Sequence, residues 1–157
     1  AGYCFVGAVK KEGKFLISVV LGSGWPPHRT YKWKDTLKIM MFGDKNFEYE
    51  KIFDNNIVFE NLKVVNGQKQ YCRIYMIGSL GLLLSDDEEV TIKIQIPDEL
   101  VAPVRRGDVV GNVEIYIDED LYTKYDVIAS DTIEAISYKY FFSIVLDKWL
   151  GYEEIEE

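Results

Sequence analysis

The side chains that could act as nucleophiles in this sequence are its serine hydroxyls. A serine becomes a nucleophile when a neighbouring base activates it, and the Ser-x-x-Lys spacing is one arrangement that does so. Ser18, Ser79 and Ser143 have no lysine three positions later, and in Ser137–Lys139 the lysine comes one position too early. The sequence also contains no Lys-Thr-Gly motif. We therefore predict no acylation centre and no catalytic residue in this chain.

The loop Ser23–Arg29, marked by its glycines and prolines, holds the one histidine of the chain next to an arginine. With His28 alone, no Ser-His-Asp set can form, and we interpret His28 as an exposed loop residue. The guanidinium of Arg29 could form two parallel hydrogen bonds with a carboxylate. The residues alone favour a simpler interpretation, a surface arginine near the start of a helix.

No metal or cofactor site is expected. Cys4 and Cys72 are too few for a disulfide framework, neither lies in a CxxC pair, and zinc would need more ligands. The acidic cluster Asp86–Glu89 lacks the glycine and the closing glutamate of a calcium loop, so we interpret it as a solvated turn.

Composition limits the class of protein and of partner. With 157 residues, 48% of them hydrophobic, the chain can form one medium domain or two small ones. The net charge is −8 and the pI is near 4.8. Nucleic acid binding needs a basic surface, so we expect no nucleic acid partner.

The first elements to position these residues are a hairpin and a helix. We predict strands at Tyr3–Val9 and Phe15–Leu21, joined by a turn at Lys10–Lys14. The second strand is a nearly unbroken apolar run, which is typical of a strand covered on both faces. Helical spacing of apolar residues predicts an amphipathic helix over Tyr31–Phe42, which ends at Gly43.

The rest of the chain is predicted to form short strands followed by a helix. Residues 46–56 look like a crossing between two units, and from Ile57 onward at least six short strands predict a small antiparallel sandwich or barrel. Their predicted ranges are Leu62–Val65, Tyr71–Ile77, Gly81–Leu84, Val90–Ile96, Leu100–Val104, Val109–Ile117 and Leu121–Ala129. A helix over Ile133–Leu150 is too short and too charged to span a bilayer, but its aromatic residues suit a membrane surface.

Four stretches resemble the low-molecular-mass penicillin-binding proteins, the serine D-alanyl-D-alanine carboxypeptidases. Ala1–Val6 (AGYCFV) and Leu16–Gly22 (LISVVLG) resemble the hairpin that follows the Lys-Thr-Gly strand in that family. Ala102–Val113 (APVRRGDVVGNV) resembles a stretch of the family's all-β C-terminal domain, and Trp149–Gly151 resembles the end of its membrane anchor.

The resemblance implies an α+β fold in three parts. Residues 1–47 would be the hairpin and closing helix of a transpeptidase (β-lactamase-like) domain. Residues 48–132 would be a small antiparallel all-β sandwich or barrel, and residues 133–157 an amphipathic helix with an acidic tail. The chain would then be the C-terminal portion of a longer enzyme.

The resemblance also implies a function for that longer enzyme. The parent would be a bacterial serine-type D-Ala-D-Ala carboxypeptidase that trims peptidoglycan stem peptides in cell-wall biosynthesis and is acylated by β-lactams. Arg29 would bind the terminal carboxylate of the peptide, whereas this chain alone would be inactive. The parent would be membrane-associated on the outer face of the cytoplasmic membrane, or secreted, and residues 133–151 would contact the membrane. The alternative is a non-catalytic extracytoplasmic β-sandwich that serves as a binding or pedestal module.

We also expect this chain, separated from its parent, to form a homodimer through residues 1–47. Their strands would belong to a larger sheet in the parent, and exposed strand edges with a bare apolar face recruit other chains.

Overall fold

The computed structural model describes residues 2–150. Its elements, in chain order, are β1 (Phe5–Lys11), β2 (Lys14–Val20), α1 (Tyr31–Asn46), β3 (Phe47–Phe53), β4 (Ile57–Val58), β5 (Leu62–Val65), β6 (Tyr71–Cys72), β7 (Ile74–Met76), β8 (Leu80–Ser85), β9 (Val90–Gln95), β10 (Glu99–Val101), β11 (Val109–Ile117), β12 (Asp120–Ala129) and α2 (Tyr138–Leu150). The chain divides into two compact units. The first holds the residues up to Asp54 together with Ser79–Glu89, and the second holds Asn55–Gly78 and the chain from Val90 on. The predicted α+β class is confirmed.

A tight antiparallel hairpin opens the first unit. β1 and β2 pair from Phe5 opposite Val20 to Lys11 opposite Lys14. The turn contains only Glu12 and Gly13, and both have a positive φ, 51° and 82°. Two such residues make a turn whose twist matches that of the strands it joins. The turn is therefore shorter than the predicted one.

The prediction that β2 is covered on both faces is wrong for this chain. Its residues alternate: Ser18 and Val20 are buried, whereas Ile17 and Val19 are exposed. The sheet has only two strands, and α1 packs against them. One face of the hairpin is therefore left bare, with Val6, Phe15, Ile17 and Val19 exposed on it.

Helix α1 begins at Tyr31 as predicted but continues past the predicted stop at Gly43. A Cβ on Gly43 would come within 3.1 Å of Leu16 Cδ1, so this glycine permits a close approach between helix and hairpin. Tertiary packing thus accounts for a residue that local propensity marks as a helix end.

The segment interpreted as a crossing contains a strand. β3 pairs antiparallel with β8, although about 30 residues separate them in the chain. Leu82 and Leu84 of β8 are buried. The division of the chain into residues 1–47, 48–132 and 133–157 rests on the family resemblance, and it stays a prediction.

The second unit contains two sheets. One is a five-stranded antiparallel sheet in the order β4-β7-β12-β11-β9, and the other is three-stranded in the order β10-β5-β6. β5 and β10 pair in parallel, whereas the sequence predicted an antiparallel sandwich or barrel. The core consists of side chains that are almost fully buried: Cys72, Ile74, Met76, Ile115, Val127, Ala129 and Ile133.

Helix α2 begins at Tyr138, five residues after the predicted start. The residues before it are extended, because Ile133 bridges Val104 and Ala135 bridges Gly67. Gly151 and the predicted acidic tail lie outside the described residues. Among residues 2–150, no helix combines the length and the apolar character that crossing a membrane requires.

Candidate functional site

The loop between β2 and α1 carries His28 and Arg29, and main-chain hydrogen bonds attach it to the start of the hairpin. The amide of Ser23 donates to the carbonyl oxygen of Tyr3 over 2.8 Å, and the amide of Tyr3 donates to the carbonyl oxygen of Gly24 over 3.2 Å. These two bonds prolong the hairpin pairing beyond β1. The first residues of the loop therefore have a defined position.

A side-chain bond attaches the same loop to α1. The hydroxyl of Ser23 donates a short hydrogen bond to the carboxylate of Asp35. The loop then turns tightly, because the amide of His28 donates to the carbonyl oxygen of Trp25 over 2.5 Å. The ring of His28 stacks on the ring of Tyr31, with centroids 4.7 Å apart and planes 16° from parallel. His28 is exposed, as predicted, and it packs against the helix start.

Arg29 follows immediately and is exposed in the turn before α1. Its main-chain amide donates to the carbonyl oxygen of Pro27 over 2.9 Å. Its guanidinium makes no hydrogen bond or ion pair with any other residue between 2 and 150. The side chain is thus free to bind an external anion, and the loop behind it is held in place.

Lys14 is a polar residue that the sequence did not single out. Its ammonium donates to the carbonyl oxygens of Asp44 and Phe47, over 2.6 and 3.1 Å, at the C-terminal end of α1. It also lies 3.1 Å from Asp44 Oδ1, and Lys11 binds Oδ2 of the same carboxylate over 2.7 Å. Hydrogen bonds from Lys11 and Lys14 lower the pKa of Asp44. The cluster neutralises a helix end and attaches the hairpin to it.

The second unit contains a bidentate ion pair that the sequence analysis did not predict. Arg73 Nη2 and Nε bind the two carboxylate oxygens of Asp131 over 2.9 and 3.2 Å, and the amide of Arg73 donates to Oδ2 over 3.1 Å. These hydrogen bonds, led by the guanidinium, hold the pKa of Asp131 at about 2. An isolated arginine between two short apolar runs was the only signal in the sequence. The pair attaches the β6–β7 link to the chain before Ile133.

A polar network covers one face of the five-stranded sheet. Glu114 accepts hydrogen bonds from Tyr116 over 2.9 Å and from Lys124 over 3.2 Å. The Tyr116 hydroxyl, followed by Lys124, lowers the pKa of Glu114, and the carboxylate raises the pKa of Tyr116. The ammonium of Lys93 lies 4.2 Å from the centre of the Tyr116 ring. The arrangement is shallow and internally paired, which suits a solvated sheet surface.

The cysteines do not form a redox pair. Both thiols are free, with Cys4 exposed and Cys72 buried. Burial raises the pKa of the Cys72 thiol, so it stays protonated and behaves as a small apolar residue. In the described part of the chain, no group of three or more metal-ligating side chains converges.

Known proteins match this chain in both sequence and fold. The family model for the penicillin-binding protein 5 C-terminal domain matches residues 47–135, more than half of the chain. The chain is 20% identical over 156 residues to the D-alanyl-D-alanine carboxypeptidase DacF of Bacillus subtilis. The match covers 98% of this chain and 39% of that protein, so the chain spans well under half the length of this relative.

Solved structures show the same fold. Penicillin-binding protein 5 from Haemophilus influenzae aligns with a TM-score of 0.58 and 22% identity over 85% of this chain and 39% of that one. The D-alanyl-D-alanine carboxypeptidase DacD from Francisella tularensis aligns with a TM-score of 0.60 and 20% identity over 86% and 34%. These likenesses extend beyond the residues that the family model matches. The chain therefore belongs to the penicillin-binding protein 5 C-terminal domain family.

Proposed function

We propose that this chain is the C-terminal part of a serine-type D-Ala-D-Ala carboxypeptidase that trims peptidoglycan stem peptides. The observation that carries the proposal is the match of residues 47–135 to the family model. The hairpin and helix that precede these residues align, with the rest of the chain, to the carboxypeptidase DacF. With no Ser-x-x-Lys in its sequence, the chain supplies a wall and a support to the parent's active site. The nucleophile comes from the part of the parent that this chain does not span.

Arg29 is the residue of this chain that we assign to the substrate. Its guanidinium is exposed, lacks a partner among the described residues and sits on a loop held by Tyr3 and Asp35. A guanidinium binds a carboxylate through two parallel bonds that fix its orientation. We assign to it the terminal carboxylate of the stem peptide, the group next to the bond that is cleaved.

The test uses the longer protein that carries this chain. Arg29→Ala should lower the kcat/KM for a peptide ending in D-Ala-D-Ala by about tenfold to a hundredfold, as expected for the loss of a charged hydrogen bond. A matched substrate with an amidated C-terminus should lose far less. Lys32→Ala on the nearby surface is the control. Equal losses on both substrates, or none, would remove Arg29 from the site.

The reading frame upstream of Ala1 separates this function from its alternative. A Ser-x-x-Lys motif followed by Lys-Thr-Gly shortly before Ala1 supports the carboxypeptidase. Their absence supports a non-catalytic binding or pedestal module.

We assign the parent to the outer face of the bacterial cytoplasmic membrane, with α2 as its contact. Phe141, Val145 and Trp149 are exposed on this helix, which suits an interfacial rather than a spanning position. Sedimentation with anionic and zwitterionic vesicles tests this contact. A Trp149→Glu variant should lose binding if α2 is the anchor.

For this chain on its own, without the rest of the parent, we assign homodimer formation to residues 1–47. The bare face of the hairpin presents Val6, Phe15, Ile17 and Val19 side by side. Contiguous exposed apolar side chains on an edge-rich sheet favour association with a second copy.

A further inference from the structure

We propose that a cleft in the second unit is a binding site for a neutral, N-acetylated saccharide. Its floor is formed by β5 and the start of β6, its rim is the turn Asn66–Gln68, and its wall contains Ile136 and Tyr140. The volume is about 550 Å³. This size lies within the range of sites that take small molecules or a few sugar rings.

Hydrogen bonds hold the rim in place. The amide of Gln68 donates to the carbonyl oxygen of Glu134 over 2.9 Å, and the amide of Ile136 donates to that of Asn66 over 2.8 Å. The Gln68 side chain reaches the carbonyl oxygen of Ala135 over 3.3 Å. The cleft is therefore formed before any ligand arrives, which limits the ordering cost of binding.

Gly67 contributes to the same rigidity. An added Cβ would lie 2.8 Å from Ile133 Cγ2 and 2.9 Å from Val64 Cγ1, so only glycine lets the rim approach the core this closely. The hydroxyl of Tyr140 also donates to the carbonyl oxygen of Gln68 over 3.4 Å. The helix wall and the rim thus form one connected structure.

The side chains left open on the cleft have the chemistry of sugar recognition. The amides of Asn66 and Gln70 are exposed, and neither side chain has a hydrogen-bond partner in the part of the chain that the structure describes. Each offers both donors and an acceptor, and sugar hydroxyls act in both ways too. Tyr71 is 59% exposed, and its ring offers a flat apolar face for the C–H side of a pyranose.

Charge separates a neutral sugar from other ligands. Lys63 is the one charged residue lining the described cleft, and its ammonium already lies 3.9 Å from the carboxylate of Glu99. A polyanion would meet little positive charge on a chain of net charge −8. Val65 and Ile136 also line the cleft, and their side chains offer apolar contacts to an acetamido methyl group.

The inference extends the proposed function but depends on it only for the source of the sugar, the glycan backbone of the wall polymer. The Arg29 experiment measures peptide cleavage by the parent, whereas the experiment below measures sugar binding by this chain. Each proposal can therefore fail without the other.

The test is a titration of the 157-residue chain, labelled with ¹⁵N, with a tetramer of N-acetylglucosamine up to about 10 mM, since weak single-site binding has a Kd near 1 mM. We expect saturable amide shifts confined to residues 63–71 and 133–140. Tyr71→Ala should weaken binding about tenfold, as large aromatic contacts do. Tyr71→Phe should retain binding, because it keeps the ring.

The matched control is Tyr122→Ala, which removes a tyrosine of similar exposure, 55%, from β12. Its affinity should be unchanged. Gln70→Ala provides a second loss-of-binding variant if Tyr71→Ala disturbs the sheet, which its spectrum would reveal. Absence of saturable shifts, or unchanged binding in both Tyr71→Ala and Gln70→Ala, would overturn the proposal. A tetra-alanine peptide that binds these residues as tightly as the sugar would replace it with a peptide site.

Discussion

The ammonium of Lys14, at the start of β2, lies 2.6 Å from the carbonyl oxygen of Asp44, near the end of α1. The side chain is only 10% exposed, and it also reaches the carbonyl oxygen of Phe47. It thus satisfies carbonyl groups that a helix end leaves without partners. One lysine thereby links the hairpin to the end of the helix.

Replacing Lys14 with methionine tests this role. Met keeps the aliphatic stem but leaves two carbonyl groups without their donor, so we expect a loss of about 1–3 kcal/mol in the local free energy of unfolding. Hydrogen exchange of the β1 and β2 amides measures it. Lys10→Met is the control, since Lys10 is exposed on the same strand pair. Equal protection in both variants would contradict the role.

The ion pair of Arg73 and Asp131 predicts a pH-dependent contribution to stability. The pKa of Asp131 is about 2 in the folded chain against an ordinary value of 3.8. A carboxylate with a depressed pKa stabilises the fold above its unfolded pKa, and the stabilisation is lost as the pH falls through the folded value. Asp131→Asn should therefore unfold earlier than the wild type at pH 7. The difference should narrow between about pH 4 and pH 2.

Denaturant unfolding of both proteins across that range measures the effect. Asp126→Asn makes the same charge change at an exposed site on β12. It should show no comparable convergence. A constant difference between wild type and Asp131→Asn from about pH 7 to pH 2 would show that the carboxylate acts without its charge.

The chain alone should not react with penicillin. It contains no Ser-x-x-Lys, so no serine is activated to open a β-lactam ring. Intact-mass spectrometry after incubation with benzylpenicillin should give an unchanged mass. A stoichiometric adduct on a serine would overturn this prediction.

The bare face of the hairpin predicts association of the chain. Ile17 is 61% exposed on that face, and Ile17→Lys would place a charge in the centre of the proposed dimer interface. We expect a dimer for the wild type and a monomer for this variant in light scattering. Ile77→Lys, at a site of similar exposure (59%), should remain dimeric. A monomeric wild type with well-protected hairpin amides would rule out the dimer.

Local patterns in the sequence determined much of the fold. β11 has the predicted limits, Val109–Ile117, because alternating residues lie between two turns with strong turn chemistry. Asn66 has a positive φ, which asparagine adopts more readily than most residues. The family resemblance also rests on short contiguous motifs, which the sequence displays without any knowledge of tertiary contacts, and the family is confirmed.

Tertiary structure decided what depends on partners distant in the chain. The apolar run of β8 predicted a strand but not its pairing with β3, since periodicity holds no information about which edge a strand meets. Gly43 lies within a helix because Leu16 packs closely against it. Lys14 is buried because its ammonium donates a hydrogen bond to a carbonyl oxygen near the end of that helix. The open amides and rings near Asn66 became a cleft only once Tyr140 closed its wall. Such sites are contacts between segments that are far apart in the sequence, so local sequence patterns do not predict them.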